Sequence, residues 1–392
     1  MKIKEIQYLY ISSVDISNSN GPAVNEREFI TSLNKKVGKS AKYLIPRIIR
    51  AKVKDLPTSS FKYSYRCTRG DTLRFIPHTI TQIYLFSNII KEYKPDIIIF
   101  RLGLLPISQY IITKMIKVPY VVKTAGPSLL NSFKNIKFAN ILNIIQNKLV
   151  LYILNKAISI DCVSELHKSQ LLSKINNRNV FVIDNAVNTE RFNVYNKEEY
   201  KNQYGLSRYN KIIGYAGNYP YTRGGKQLLE IGRVLIKEKK MEDIALVILG
   251  EDPKIDELKK IARNYDIENN VFIKGLVPFE QIPKWINTFD LGISFLSPLQ
   301  SGASEQKIRQ YLACGKPVIC SYGSSNFIFD KKLGFVENWD DIKGIIKSVE
   351  CIINMNKEEY SELSKRCRSY AEKYLSVDNQ TERRLQIWES ML

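Results

Sequence analysis

The chain is short of the residues that metal and redox sites need. Its 392 residues include two histidines and six cysteines, Cys67, Cys162, Cys314, Cys320, Cys351 and Cys367, with no Cys-x-x-Cys pair. A Cys/His zinc site therefore lacks properly spaced ligands, and the cysteines read as reduced and structural. No run of about 18 apolar residues occurs, because Arg101, Lys114, Lys117, Lys148 and Lys156 interrupt every candidate, so no spanning helix is expected. The opening MKIKEIQYLY alternates like a strand and lacks the apolar core and cleavage site of a signal peptide. The protein is therefore expected in the cytosol, with any membrane contact peripheral. Nineteen glycines and 14 prolines are too few for a collagen-like or low-complexity chain.

Acidic residues are scarce in one half only. The net charge is +20, yet residues 1–190 hold 28 Lys and Arg against 12 Asp and Glu, a net +16, whereas residues 191–392 hold 31 against 27, a net +4. Between Asp96 and Asp161 there is no acidic residue at all, while Arg101, Lys114, Lys117, Lys123, Lys134, Lys137, Lys148 and Lys156 fall inside. That stretch is expected to face something anionic, the alternative being a solvated lysine-rich face. No basic–aromatic repeat, zinc finger or RNA-binding signature accompanies the charge, so a nucleic acid is not the expected partner.

Short β-branched runs alternate with longer amphipathic segments. KPDIIIF, VPYVVKT, ISIDCVS and NVFVID fall in the first half, KIIGYAG, IALVILG, NVFIKG, LGISFL and KPVICS in the second. The alternation signals parallel sheets with crossover helices, and continuous apolar strands signal sheets covered on both faces. The fold class is α/β, with two doubly wound parallel-sheet domains. The boundary is expected where residues 190–208 turn polar, giving domains 1–190 and 191–375. In such sheets ligands sit beyond the carboxyl ends of the strands, where glycine turns lead into helix N-termini.

Two post-strand loops carry candidate chemistry. After KIIGYAG come Gly217, Asn218, Tyr219, Pro220, Tyr221, Thr222, Arg223, Gly224, Gly225 and Lys226, then a helical pattern. Paired glycines let backbone N–H groups approach an anion, with Arg223 and Lys226 supplying charge; without the Gly-x-Gly-x-x-Gly spacing, an ordinary strand-to-helix turn fits equally. In SGASEQKIRQYLACGKPVIC, residues 301–320, Ser304 is the expected N-cap and Glu305 suits the first turn. Gly315 suits the C-terminal left-handed position, and Pro317 stops the helix. Lys307 and Gln310 share a helix face. The alternative is a surface helix with a solvated lysine.

From Ser304 to Ile319 the sequence SEQKIRQYLACGKPVI is similar to a signature of family 4 retaining glycosyltransferases of the two-Rossmann-domain GT-B architecture. GYAGNYPYTRGGKQLLEIG resembles that family's first phosphate loop, and NNVFIKGLVPFEQIPKWINTFDLGISFL its base-bracketing run. DCVSELHKSQLL and NVFVIDNAVNTERF resemble its entry to the linker. The resemblance implies two facing Rossmann-like domains and a C-terminal helix, residues 376–392, that packs on the first domain through Leu385, Ile387, Trp388 and Leu392. It implies transfer of a sugar from a nucleotide diphosphate with retention, without a metal or other cofactor, in polysaccharide or glycolipid assembly. Arg223 and Lys307 would take the catalytic charge, and Gly217, Asn218, Gly275, Val277, Ala303, Ser304, Glu305 and Gln310 would bind the donor. Gly21, in the loop after the first strand, would allow close approach.

The departures are specific. The family's two glutamates are Gly302 and Gln310 here, its phosphate-loop arginine is Asn218, and its donor-contacting histidine is Ala125. A catalytically silent GT-B subunit is the alternative function. The basic first half implies a lipid-linked or glycan acceptor at an anionic membrane surface. In residues 129–157 the stripe of Phe138, Ile141, Leu142, Ile145, Leu149, Tyr152 and Ile153 suits either a membrane or, more commonly, packing on its own domain.

Overall fold

The computed structural model describes residues 5–16, 21–47, 61–65, 75–124, 126, 129–133, 138–297, 304–323 and 325–392. Thirteen strands are assigned among them: β1 Tyr8–Ser12, β2 Ala41–Arg47, β3 Phe61–Tyr65, β4 Ile97–Arg101, β5 Tyr120–Lys123, β6 Ser159–Cys162 and β7 Val180–Val182, then β8 Lys211–Ala216, β9 Ile244–Leu249, β10 Val271–Gly275, β11 Leu291–Ser294, β12 Val318–Ser321 and β13 Gly334–Glu337. The α-helices are α1 Gly21–Val37, α2 Phe75–Tyr93, α3 Ile107–Met115, α4 Ala139–Lys156, α5 Glu165–Leu172, α6 Lys197–Gln203 and α7 Gly225–Gly232, then α8 Ile255–Asn264, α9 Ile282–Thr288, α10 Gln306–Ala313, α11 Phe327–Asp330, α12 Ile342–Ile353, α13 Lys357–Tyr370 and α14 Val377–Ser390.

The chain divides into two compact units, Met1–Asp184 with Val377–Leu392, and Asn185–Ser376. Unit 1 is built on a seven-stranded sheet of order β3-β2-β1-β4-β5-β6-β7, and unit 2 on a six-stranded sheet of order β10-β9-β8-β11-β12-β13. Every pairing is parallel. In both sheets the strand order reverses beside the first strand, between β1 and β4 and between β8 and β11, which makes the carboxyl ends there the expected binding edge.

Strands such as β4 and β9 are buried along their whole length, as their unbroken apolar sequences require of a sheet with helices on both faces. In unit 1, α2, α3 and α4 cover one face through Phe86, Ile112 and Ile153, and α1 with α14 cover the other through Phe29, Leu385 and Trp388. The indole Nε1 of Trp388 donates to Asp161 Oδ1 at 3.0 Å, and its ring stands edge-on to Phe29 at 6.3 Å. The C-terminal helix therefore completes the first unit, although Leu392 is 53% exposed and lies outside the buried face. Unit 2 begins at Asn185, six residues before the boundary expected from composition, and Val187 forms a bridge with Ser376 just before α14. Of the described cysteines, Cys162, Cys314, Cys320 and Cys367 are buried and free, while Cys351 is exposed.

Candidate functional site

The carboxyl edge of the β8/β11 pair is shaped by α10. Ile308, Tyr311 and Leu312 bury one side of the helix, and the Tyr311 hydroxyl accepts from Ala216 N at 2.7 Å, tying the helix to the end of β8. At its C-terminus Gly315 N donates to Leu312 O at 2.9 Å and Lys316 N to Tyr311 O at 2.9 Å, the paired bonds of a Schellman end, before Pro317 turns the chain into β12. The start differs from the expectation. The helix begins at Gln306, and the N-cap is Glu305 rather than Ser304, with no side-chain cap bond.

The reason is chemical, since the Glu305 carboxylate is engaged elsewhere. One oxygen lies 2.9 Å from Lys307 Nζ and the other accepts from the Ser294 hydroxyl at the end of β11. Lys307 Nζ also donates to the Tyr215 hydroxyl at 3.2 Å and stands 4.4 Å from the centre of that ring. Tyr215 in turn donates to Asn218 O at 3.0 Å. Burial pushes the Glu305 carboxyl up, but Lys307, the Ser294 bond and the nearby Arg223 together hold it below the ordinary carboxylate range. Burial, with Glu305 alongside, pushes the Tyr215 phenol up, so it stays a hydrogen-bond donor. Lys307 is only 7% exposed, which excludes a solvated surface lysine.

Lys307 thus pairs with Glu305 and Tyr215, and Arg223 lies near enough to act on both, with Asp252 a second carboxylate acting on Tyr215. Gly217 (φ +156°) passes directly over the lysine, where a Cβ would lie 3.0 Å from Lys307 Cε. Asn218 is exposed, and its side-chain oxygen accepts from Glu251 N at 3.3 Å. Gly250, unremarked in the sequence, brings the next loop so close that a Cβ there would lie 2.0 Å from Gly217 O. Gly250 N donates to Gly275 O at 2.7 Å, which joins the β8, β9 and β10 ends into one rim. Val277 is half-buried against the core under α9 and α10. Gln310 is buried one turn after Lys307. Ser304 O accepts from the Asn185 side chain at 2.9 Å, and the Gln306 side chain donates to Ala186 O at 2.6 Å, so the start of unit 2 braces the α10 turn. Lys226 is exposed over the Tyr221 ring at 4.7 Å, away from the pair. Gly21 opens α1 rather than sitting in a loop. Ala303, Gly302 and Ala125 lie outside the described residues.

A glycine rim with two cations, adjoining a helix start, is chemically suited to a diphosphate. Residues 196–374 match the family model described as Glycosyl transferases group 1. That match falls wholly within unit 2. A poly(ribitol-phosphate) alpha-N-acetylglucosaminyltransferase of Staphylococcus aureus is 24% identical over 239 residues, 60% of this chain and 45% of that protein. The chain spans about half the length of the curated relatives it matches. Among solved structures, sucrose-phosphate synthase from Thermosynechococcus elongatus superposes with a TM-score of 0.76 at 12% identity, covering 98% of this chain and 99% of that one. HepE from Anabaena, solved with UDP and glucose, gives 0.73 at 12% identity, covering 98% and 100%. The architecture is GT-B.

The matching edge of unit 1 holds what the sequence did not reveal. Ser12, Arg101, Lys123 and Asp161 stand side by side in register at the carboxyl ends of β1, β4, β5 and β6. Glu26 of α1 is fully buried between Arg101 Nε at 2.9 Å and Lys123 Nζ at 2.8 Å, and it also accepts from the Tyr10 hydroxyl. Arg384 Nε of α14 lies 3.3 Å from Asp161 Oδ2. Burial pulls the Lys123 ammonium down to about 8, against the opposing pull of Glu26. Two cations of the acid-free stretch are therefore internal partners, not a surface awaiting an anion.

Proposed function

We propose that the protein transfers a sugar from a nucleotide diphosphate to a lipid-linked or glycan acceptor at the cytosolic face of a membrane, with retention of configuration and without a metal. The observation that carries this reading is the gathering of Glu305, Lys307 and the Gly217 turn at one strand edge, with Arg223 bonded through its carbonyl to Phe295 just after β11. Breaking a sugar–diphosphate bond leaves negative charge on the departing nucleotide, and fixed cations aimed at that charge are the largest single source of rate. Lys307 supplies an ammonium already held in place, and Arg223 supplies a half-buried guanidinium at the same rim. Gln310 would bond a ribose hydroxyl, Gly275 and Val277 would flank the base, and Ala303, Ser304 and Glu305 would present the α10 turn to the diphosphate. Gly21 and Asn218 would border the donor.

The test is to incubate the protein with UDP- and GDP-sugars and a membrane lipid extract, then measure nucleotide release and the anomeric configuration of the product. Sugar-dependent release with a retained linkage is the expected result. Nucleotide binding without any release or transfer would favour a silent GT-B subunit, the reading suggested by Gly302 and Gln310. Neither binding nor release would overturn both.

A further inference from the structure

In the first half of α4 a polar side chain is buried while apolar ones are exposed. Gln146 is fully buried, donating to Leu129 O at 3.0 Å and accepting from Leu105 N. Asn143 both accepts from Phe133 N and donates to Phe133 O at 2.9 Å, and Asn147 pairs with Asn131. Its isoleucines point outward: Ile141, Ile144 and Ile145 are 56%, 55% and 41% exposed, at the i, i+3, i+4 spacing of one face that Lys148 continues. Leu104, beside Gln146 through the adjoining Leu105, is 60% exposed. The sequence stripe was expected to pack on its own domain more often than not, and Tyr152 and Ile153 in its C-terminal part join that core.

We propose that this face of unit 1 docks on an anionic lipid bilayer, with Ile141, Ile144 and Ile145 entering the headgroup–acyl boundary. Contiguous apolar side chains left exposed mark an interaction surface, and the charge around them decides the partner. Lys114, Lys117, Lys148 and Lys156 are exposed on α3, α4 and the turn after α3, and no acidic residue occurs from residue 97 to residue 160. Two copies meeting through this face would set lysines against lysines, because an isologous contact pairs a surface with itself. A bilayer bearing anionic headgroups satisfies both the apolar ridge and its basic border. Among the described residues no helix is long and apolar enough to cross a membrane, so the contact is interfacial.

This deepens the reading above by naming the surface on which the acceptor is met, and it rests on that reading only for the acceptor's location. The experiment therefore omits donor and acceptor: the full chain is sedimented with phosphatidylcholine vesicles with and without phosphatidylglycerol. Binding to the anionic vesicles alone, weakened by salt, is expected. Changing Ile141, Ile144 and Ile145 together to asparagine should cut the bound fraction about tenfold or more, with melting temperature and nucleotide binding unchanged. Should that variant fail to fold, Ile144→Trp gives a second readout, a blue-shifted emission on adding anionic vesicles. Equal binding by the triple variant, or no blue shift, overturns the proposal. So does a wild-type dimer that the triple variant abolishes, which would assign the face to a second copy.

Discussion

Each unit pairs one buried glutamate with a lysine at the carboxyl edge of a parallel sheet, yet the two arrangements differ in how the pair is completed. Glu26 is sealed: Arg101, Lys123 and Tyr10 satisfy it, while Phe29 lies 4.2 Å from the Lys123 ammonium and edge-on to Trp388 of the C-terminal helix. Glu305 is paired with Lys307 and Ser294, the Tyr215 ring lies 4.4 Å from that lysine with Gly217 passing over it, and the second cation, Arg223, is half-exposed. Both lysines are buried beside an aromatic ring; what differs is the second cation, which the Glu26 group holds inside and the Glu305 group leaves half-exposed. Local charge alone does not tell the two apart; the place of the second cation does.

The sharpest way to break the comparison is to remove each glutamate. Glu26→Ala leaves two cations buried without a partner, and loss of about 3–5 kcal/mol of stability is expected from urea unfolding. Glu305→Ala strands one buried cation, Lys307, rather than two, and should cost about 1–3 kcal/mol. Equal losses would mean that the second cation adds nothing to the unit 1 group.

The next largest effect belongs to Arg223. Because its side chain is half-exposed and braces no core cluster, Arg223→Ala should leave the melting temperature nearly unchanged while turnover of a nucleotide sugar falls about 10²-fold. Lys307→Ala is a poorer probe, since it strands the buried Glu305 carboxylate and mixes folding with catalysis. A drop in turnover of less than about threefold for Arg223→Ala would remove it from the diphosphate site.

A third contrast concerns polar groups buried in unit 1 without charge pairing. His167 is fully buried in α5, its two ring nitrogens make no hydrogen bond among the described residues, and burial pushes its pKa down to about 4. Between that value and the unfolded value near 6.5 the unfolded chain takes up a proton that the folded chain refuses, so stability falls as pH falls through this window. From pH 7 to pH 5 the loss assignable to His167 is about 2 kcal/mol. His167→Leu should flatten the stability difference between those two pH values by that amount, measured by urea unfolding at each. An unchanged slope would show that the imidazole is protonated inside the fold.

The parallel strands, the crossover helices and the C-terminal helix were legible because apolar periodicity and turn residues are local properties. So were Arg223 and Lys307, each placed by a glycine or proline that fixes its loop. The Ser304 cap was misread because the competing bonds to Glu305 come from Ser294, eleven residues away, and Lys307, and no local pattern encodes them. Glu26, Arg101 and Lys123 were invisible as a group for the same reason, since strands far apart in sequence bring them into one row. The α4 stripe carried an ambiguity that spacing cannot resolve, because a helix with polar residues inward has the same period as one with polar residues outward.

The smallest expected effect is at Gln310, where the family resemblance and this chain part. Gln310 is buried one turn along α10 from Lys307. A carboxylate there would repel a diphosphate close by, but would accept hydrogen bonds from ribose hydroxyls; an amide keeps one good acceptor and loses the charge. Gln310→Glu should therefore keep or tighten binding of a nucleotide diphosphate, by about 1 kcal/mol at most, since charged hydrogen bonds exceed neutral ones by about that amount. Calorimetric titration with UDP and GDP checks it. Tightening would place Gln310 at the ribose. Abolished binding would place it against the phosphates, where a further carboxylate beside Glu305 and Asp252 would cancel the charge that Lys307 and Arg223 offer the leaving group.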